Sequence, residues 1–150
     1  MKDDKPLHSW RVLILPYLEL DNIYKQVKLD EPWDSEHNRK LFESMPTPRV
    51  YMHPTRKDAE SRQTSYKVFY SKTTDGPGAA FGMGSKYTLG EISSQDGTSN
   101  TIGIVESGDP VLWYKPEDIV YDHKAPFPRM KSPWKENRVQ VAMMDGSTRF

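Results

Sequence analysis

Two stretches of this sequence gather side chains able to do chemistry. Asp96-Gly97-Thr98-Ser99-Asn100-Thr101 crowds oxygen-bearing side chains around one glycine. A hard cation such as calcium takes about six to eight oxygens from a loop of this kind. Asp96, Ser99 and Asn100 are therefore candidate calcium ligands. The same residues also suit an Asx-type turn feeding a strand, and the loop lacks the alternating carboxylates of an EF-hand. The second stretch, Trp113-Tyr114-Lys115-Pro116-Glu117-Asp118, sets two aromatics beside paired carboxylates. Sugar sites use that mixture for stacking and for hydroxyl hydrogen bonds. Trp113, Glu117 and Asp118, with Glu106 contributed by a neighbouring strand, are candidate binders of a small solute or glycan. A glycosidase would hold two such carboxyls a set distance apart, one with a raised pKa. In the competing reading Trp113 is a buried plug, and Pro116 opens a helical turn whose dipole favours Glu117 and Asp118.

Other chemistries find no pattern. His8, His37, His53 and His123 stand far apart with no two at metal-ligand spacing. Ser9, Ser65 and Ser99 lie in no Gly-x-Ser-x-Gly elbow, and the Gly76 to Gly84 loop matches neither the phosphate loop nor the dinucleotide fingerprint. The absence of cysteine removes disulfides, thiolate ligands and cysteine nucleophiles together. No catalytic residue is implied, so the expectation is a protein that is not an enzyme.

The elements that position these residues must come from a modest core. A chain of 150 residues suits one domain able to bury roughly two-thirds of its unfolded surface. Because 35% of residues are apolar and 28% charged, that core must lean on the four Trp, eight Tyr and five Phe. Lysine plus arginine (21) equals aspartate plus glutamate (21), with no run of one sign, so nucleic acid is not an expected partner. No apolar run reaches the length of a membrane span, and Met1-Lys-Asp-Asp-Lys-Pro6 lacks the apolar segment of a signal peptide. Residues 1–7 read as a linker remnant and residues 8–150 as a single head domain.

From Ser9 to Val27, Trp10, Leu13, Ile14, Tyr17, Leu18, Leu20, Tyr24 and Val27 recur at mostly helical steps, interrupted by Pro16. That predicts a kinked helix or two short ones. A second helix is expected after Asp34 or Ser35 and up to Met45, with Leu41, Phe42 and Met45 inward and Trp33 stapling the preceding loop. Thereafter Val50 to Met52, Ser65 to Tyr70, Tyr87 to Ile92, Thr101 to Val105, Val111 to Tyr114 and Val139 to Met144 read as strands. Asp145-Gly146 is a hairpin signal at the end of the last of them. Strands without intervening helices imply α+β: N-terminal helices packed on a mainly antiparallel sheet. The loops at Lys72 to Ser85 and Asp122 to Pro133 are long enough to suggest function or mobility.

Five motifs carry a resemblance. His8-Ser-Trp-Arg-Val-Leu-Ile-Leu-Pro-Tyr-Leu-Glu19, Leu29-Asp-Glu-Pro-Trp-Asp-Ser-Glu-His-Asn-Arg39, Asp96-Gly-Thr-Ser-Asn-Thr-Ile102 with Glu106, Trp113 to Asp118, and Asp145-Gly-Ser-Thr-Arg-Phe150 follow in this order. Together they resemble a large exported family abundant in planctomycete bacteria, domain of unknown function 1559, also labelled bacterial solute-binding family 10. Its full-length members look like prepilins or type II secretion pseudopilins. The resemblance implies a pseudopilin-like globular head that lacks a preceding cleavage segment and hydrophobic helix, and membrane attachment only through that helix. It further implies an exported protein of the cell envelope, periplasmic or at the cell surface, whose partners are other pseudopilin-like subunits or envelope proteins. Calcium loops occur in related pseudopilin heads, which supports the reading of Asp96, Ser99 and Asn100. Two departures stand out. Lys135 occupies the position of a histidine that family members often carry ten residues before the terminal Asp-Gly, with nine residues between, and Tyr51-Met-His53 precedes Pro54 where a cysteine-proline pair is common. The alternative function is a surface module holding a solute or glycan between the Gly76 to Gly84 loop and Trp113.

Overall fold

In the computed structural model, which describes residues 7–54, 61–71, 78–82, 87–132 and 138–150, the periodic stretch after Ser9 forms three short helical pieces. Helix α1 spans Trp10–Leu13 and is capped by Ser9, whose Oγ accepts the Arg11 N–H at 3.3 Å. A 3-10 turn, Leu15–Leu18, carries Pro16 near its start, where a missing N–H costs nothing. Glu19 at φ 60° ends it in the left-handed region, and α2 follows over Asp21–Tyr24. These breaks rotate the apolar stripe. Val12 and Leu15 are buried, whereas Leu13 and Tyr17, both expected inward, are exposed, Tyr17 by 85%.

Helix α3, Glu36–Glu43, begins where a cap was expected. Ser35 is the residue that supplies it, its Oγ accepting the Asn38 N–H at 3.3 Å. Phe42 faces inward fully, and Leu41 and Met45 pack partly on the core. Two expected strands are helical. Val50 to Met52 forms a 3-10 turn over Arg49–Tyr51, following Pro48. Tyr87 to Ile92 instead leads into α4, Leu89–Gln95. There Thr88 Oγ accepts the Glu91 N–H at 3.2 Å while the Glu91 carboxylate accepts the Thr88 N–H at 2.7 Å. This reciprocal cap outweighs the strand propensity of Tyr87, Thr88 and Ile92.

The strands are β1 (Gln63–Lys67), β2 (Phe69–Ser71), β3 (Phe81–Gly82), β4 (Ile102–Leu112), β5 (Ile119–Tyr121), β6 (Val141–Met143) and β7 (Thr148–Arg149). Ser65 to Tyr70, expected as one strand, is interrupted at Val68, while the two strands expected around 101–105 and 111–114 are one, β4. One sheet runs β1-β4-β6-β7, antiparallel from β4 through β6 to β7. The other runs β3-β2-β5 with parallel pairs, which the long connections around β2 permit. The fold class is α+β. At the last hairpin Gly146 takes φ 84°, its N–H donates to the Met143 carbonyl at 3.0 Å, and the Met143 N–H donates to the Ser147 carbonyl at 2.8 Å. That is a turn closed by a glycine bulge.

The chain divides into two compact units, Met1–Thr64 with Pro110–Glu117, and Ser65–Asp109 with Asp118–Phe150. The first holds an aromatic core at the C-terminal end of β4: Phe42 stacks on Tyr114 at 4.8 Å between ring centres, Tyr51 stacks on Trp113 at 5.9 Å, and Phe42 meets Trp113 edge-on at 5.4 Å. Val12, Leu15 and Val27 close around them. In the second unit Phe127 lies against Phe69 and Tyr121. There the segment before Ser132 crosses β4 at Gly108, where an added Cβ would run into the Lys131 carbonyl oxygen. Among the described residues no helix is long and apolar enough to cross a membrane.

Candidate functional site

The motif side chains of the first unit converge on its backbone. Arg11, wholly buried, sends Nη1 to Ser9 Oγ at 2.6 Å and to the Lys115 carbonyl at 3.3 Å, and Nη2 to the Glu117 carbonyl at 3.4 Å. Its guanidinium also lies 5.0 Å from the centre of the Trp10 ring. A planar fork with five donors suits this work, because it bonds several carbonyls from one fixed position. Tyr51 adds a 2.6 Å hydrogen bond from its hydroxyl to the Arg11 carbonyl, and burial pushes that phenol well above its ordinary range. Thus His8 to Glu19 and Trp113 to Asp118, a hundred residues apart, are locked together by one guanidinium.

Asn38 does the same for the loop before α3. It is 0% exposed. Its Oδ1 accepts the Lys28 N–H at 2.9 Å, while Nδ2 donates to the carbonyls of Lys28 at 2.9 Å and Pro32 at 3.0 Å, with Glu31 at 3.4 Å. His37 Nε2 reaches the Gln26 carbonyl at 2.9 Å, and Trp33 packs partly on the core as the expected staple. Outside this clamp lies an open groove of about 420 Å³ lined by Lys28, Glu31, Glu36, His37 and Lys40. Its charges neutralise one another, Lys28 with Glu31 at 2.9 Å and Lys40 with Glu36 at 2.7 Å. The first contact holds the Glu31 carboxyl below and the Lys28 ammonium above their ordinary values.

The residues singled out for solute binding have structural partners of their own. Trp113 is 0% exposed inside the aromatic core and offers no ring face to solvent, which corrects the stacking role read for it. No helical turn starts at Pro116, which corrects the dipole role read for Glu117 and Asp118. Glu117 pairs with Lys115 at 2.5 Å, and Asp118 Oδ1 accepts the Val68 N–H at 3.1 Å, so these neighbouring carboxylates do different work. Glu106, on β4, is buried in the second unit, where its Oε2 accepts the Ser132 hydroxyl at 3.4 Å and its charge adds to the burial that raises the Tyr66 phenol. The Gly76 to Gly84 loop lies outside the described residues except at 78–82, and Lys135 lies outside them entirely.

The stretch read for calcium is the C-terminal turn of α4. Gly97 adopts φ 81° and sends its N–H to the Ile92 carbonyl at 3.0 Å. Asn100 donates from Nδ2 to the Asp96 carbonyl at 3.2 Å and from its N–H to the Gly97 carbonyl at 3.1 Å; the Thr101 hydroxyl donates to that same carbonyl at 3.0 Å. Ser99 is exposed in this turn. Asp96, Ser99 and Asn100 thus share one turn, and among the described residues no group of three His, Cys, Asp or Glu side chains is placed to hold a metal ion.

Sequence reasoning missed Ser9, Arg11 and Asn38 as the organising polar residues. The signals were present: an arginine inside an apolar run, and an asparagine four residues before Phe42 and thus on the inward face of α3. Over residues 1–95 the sequence matches the family described as protein of unknown function, DUF1559, whose model is labelled SBP_bac_10. The chain belongs to this family. The DUF1559 match takes in the His8 to Glu19 and Leu29 to Arg39 motifs and stops before Asp96, so the three later motifs lie beyond it. No curated protein and no solved structure matches the chain.

Proposed function

We propose that this DUF1559 protein is a non-catalytic interaction or structural domain of an exported, prepilin-like envelope protein, presented at the periplasmic or outer surface. One observation carries the reading. Within the His8 to Glu19 motif, Ser9, Arg11, Val12 and Leu15 are buried, whereas Leu13 and Tyr17, four residues apart, face outward, Tyr17 by 85%. A tyrosine presented this openly is of little use to the fold and well suited to an interface, where an aromatic body with a polar tip is favoured. The buried motif residues set the shape that presents it. Partners of this kind are further pseudopilin-like subunits or other envelope proteins.

The test is photo-crosslinking in the native host of the full-length gene product, with a photoreactive residue replacing Tyr17 and, in parallel, Lys40. The expected result is membrane-fraction adducts from position 17 that far exceed those from position 40. Recovery of the protein in the cytosol, or equal adducts from both positions, would overturn the proposal. The alternative, a solute- or glycan-binding module, draws its support from the family's label. With Trp113 enclosed, its remaining candidates are Glu117 and Asp118, and saturable glycan binding lost in Glu117→Gln or Asp118→Asn would favour it.

A further inference from the structure

His8 is 9% exposed and lies under the segment that Asn38 clamps. Its Nε2 is 3.3 Å from the Leu29 carbonyl oxygen. A carbonyl only accepts, so this nitrogen carries the proton and the neutral ring leaves Nδ1 bare. Nδ1 is buried with no hydrogen-bond partner among the described residues. Next to it the Trp33 N–H donates to the Leu7 carbonyl at 2.8 Å, so residues 7 and 8 are joined to the 28–33 segment through two bonds. We infer that His8 is a proton-operated latch: neutral, it holds residues 7 and 8 against the 28–33 segment, and protonation releases them.

The physical reason is the second N–H of the imidazolium. A proton on Nδ1 would place a full charge and an extra donor in a site closed to water, at a cost comparable to leaving any buried donor unmade. The carbonyls of Leu29, Glu31 and Lys28 pull the other way, but burial outweighs them and holds the ring below the ordinary histidine range. Among the described residues no charged side chain acts on the ring to offset this. On the 28–33 segment the charged groups are Lys28, Asp30 and Glu31; Lys28 and Glu31 are bonded to each other, and Asp30 is exposed. On its own segment Arg11 is engaged with Ser9, Lys115 and Glu117. On α3, Glu36 pairs with Lys40, and His37 is bonded to the Gln26 carbonyl.

A histidine whose folded pKa is depressed favours the folded form fully above its unfolded value near 6.5, and that contribution is lost as pH falls below it. Amide exchange of the whole 150-residue chain between pH 7.5 and 5, corrected for intrinsic rates, tests the latch beside an NMR titration of the ring. The expected result is a His8 ring that titrates below 6.5, with Trp33 N–H protection falling from pH 6.5 downward and levelling off once the ring is charged, by about tenfold in all for each unit of depression. The Lys28 N–H, held by Asn38 Oδ1, should stay protected, and the pH response should vanish in His8→Gln and persist in His37→Gln. A ring that titrates at or above 6.5, Trp33 protection that ignores the titration, or an unchanged response in His8→Gln would overturn the inference. Should His8→Gln fail to fold, the native chain decides by itself: Trp33 protection must begin to fall near pH 6.5 and level off at the pH where the ring titrates.

Discussion

The segments Leu29 to Arg39 and Asp96 to Ile102 are both polar, both lie at a helix end and both belong to ordered motifs, yet they are held in opposite ways. The first is gathered by a buried side chain, Asn38, that satisfies backbone groups six to ten residues away. The second is held by local bonds, exposed or part-buried, spanning three to five residues, through Gly97, Asn100 and Thr101. Polar composition therefore says little about purpose. A buried amide with several partners carries a fold, because water cannot replace what it bonds; an exposed turn can exchange each bond for one to solvent.

That contrast can be broken by substitution. Asn38→Ala should lower unfolding stability in urea by about 2–4 kcal/mol, since it removes a buried side chain and leaves the Lys28 N–H and the Lys28 and Pro32 carbonyls without their part-buried bonds together. Asn38→Asp should be at least as harmful at pH 7, because it turns a donor facing two carbonyls into an acceptor, with partial recovery on acidification. A loss under about 1 kcal/mol for Asn38→Ala would erase the distinction. Gly97→Ala comes next: its Cβ would find space, 3.7 Å from Asn100 Nδ2, but φ 81° strains any L side chain, so about 1–2 kcal/mol is expected. Asn100→Ala should cost about 0.5–1 kcal/mol. Smallest of all, calcium at millimolar concentration should leave the melting midpoint where chelator leaves it; an upward shift would make the 96–101 turn a cation site.

Much of the framework was legible in residue order. Ser35 before a helical pattern, Pro46 after it and Asp145-Gly146 between short strands each act through neighbours, and each element lies where those signals put it. The misread segments had two local signals in competition. Tyr87 to Ile92 carries strand-favouring side chains together with Thr88-x-x-Glu91, and the cap prevailed. The stripe after Ser9 carries its break at Pro16 in the sequence, but the second break at Glu19 does not show there, and together the two reset the phase and turn Tyr17 outward.

The sequence by itself determined the α+β class, the aromatic character of the core and a few element ends, among them the start of α3 and the last hairpin, because propensity, capping and turn chemistry act over a few residues. Only the tertiary structure decided that Trp113 is enclosed, that Arg11 spans from the first motif to the Lys115 and Glu117 carbonyls, and that the buried Asn38 and His8 bond the same 28–32 loop. Those roles depend on which distant backbone groups come within about 3 Å of a side chain deprived of water, and no local pattern encodes that distance.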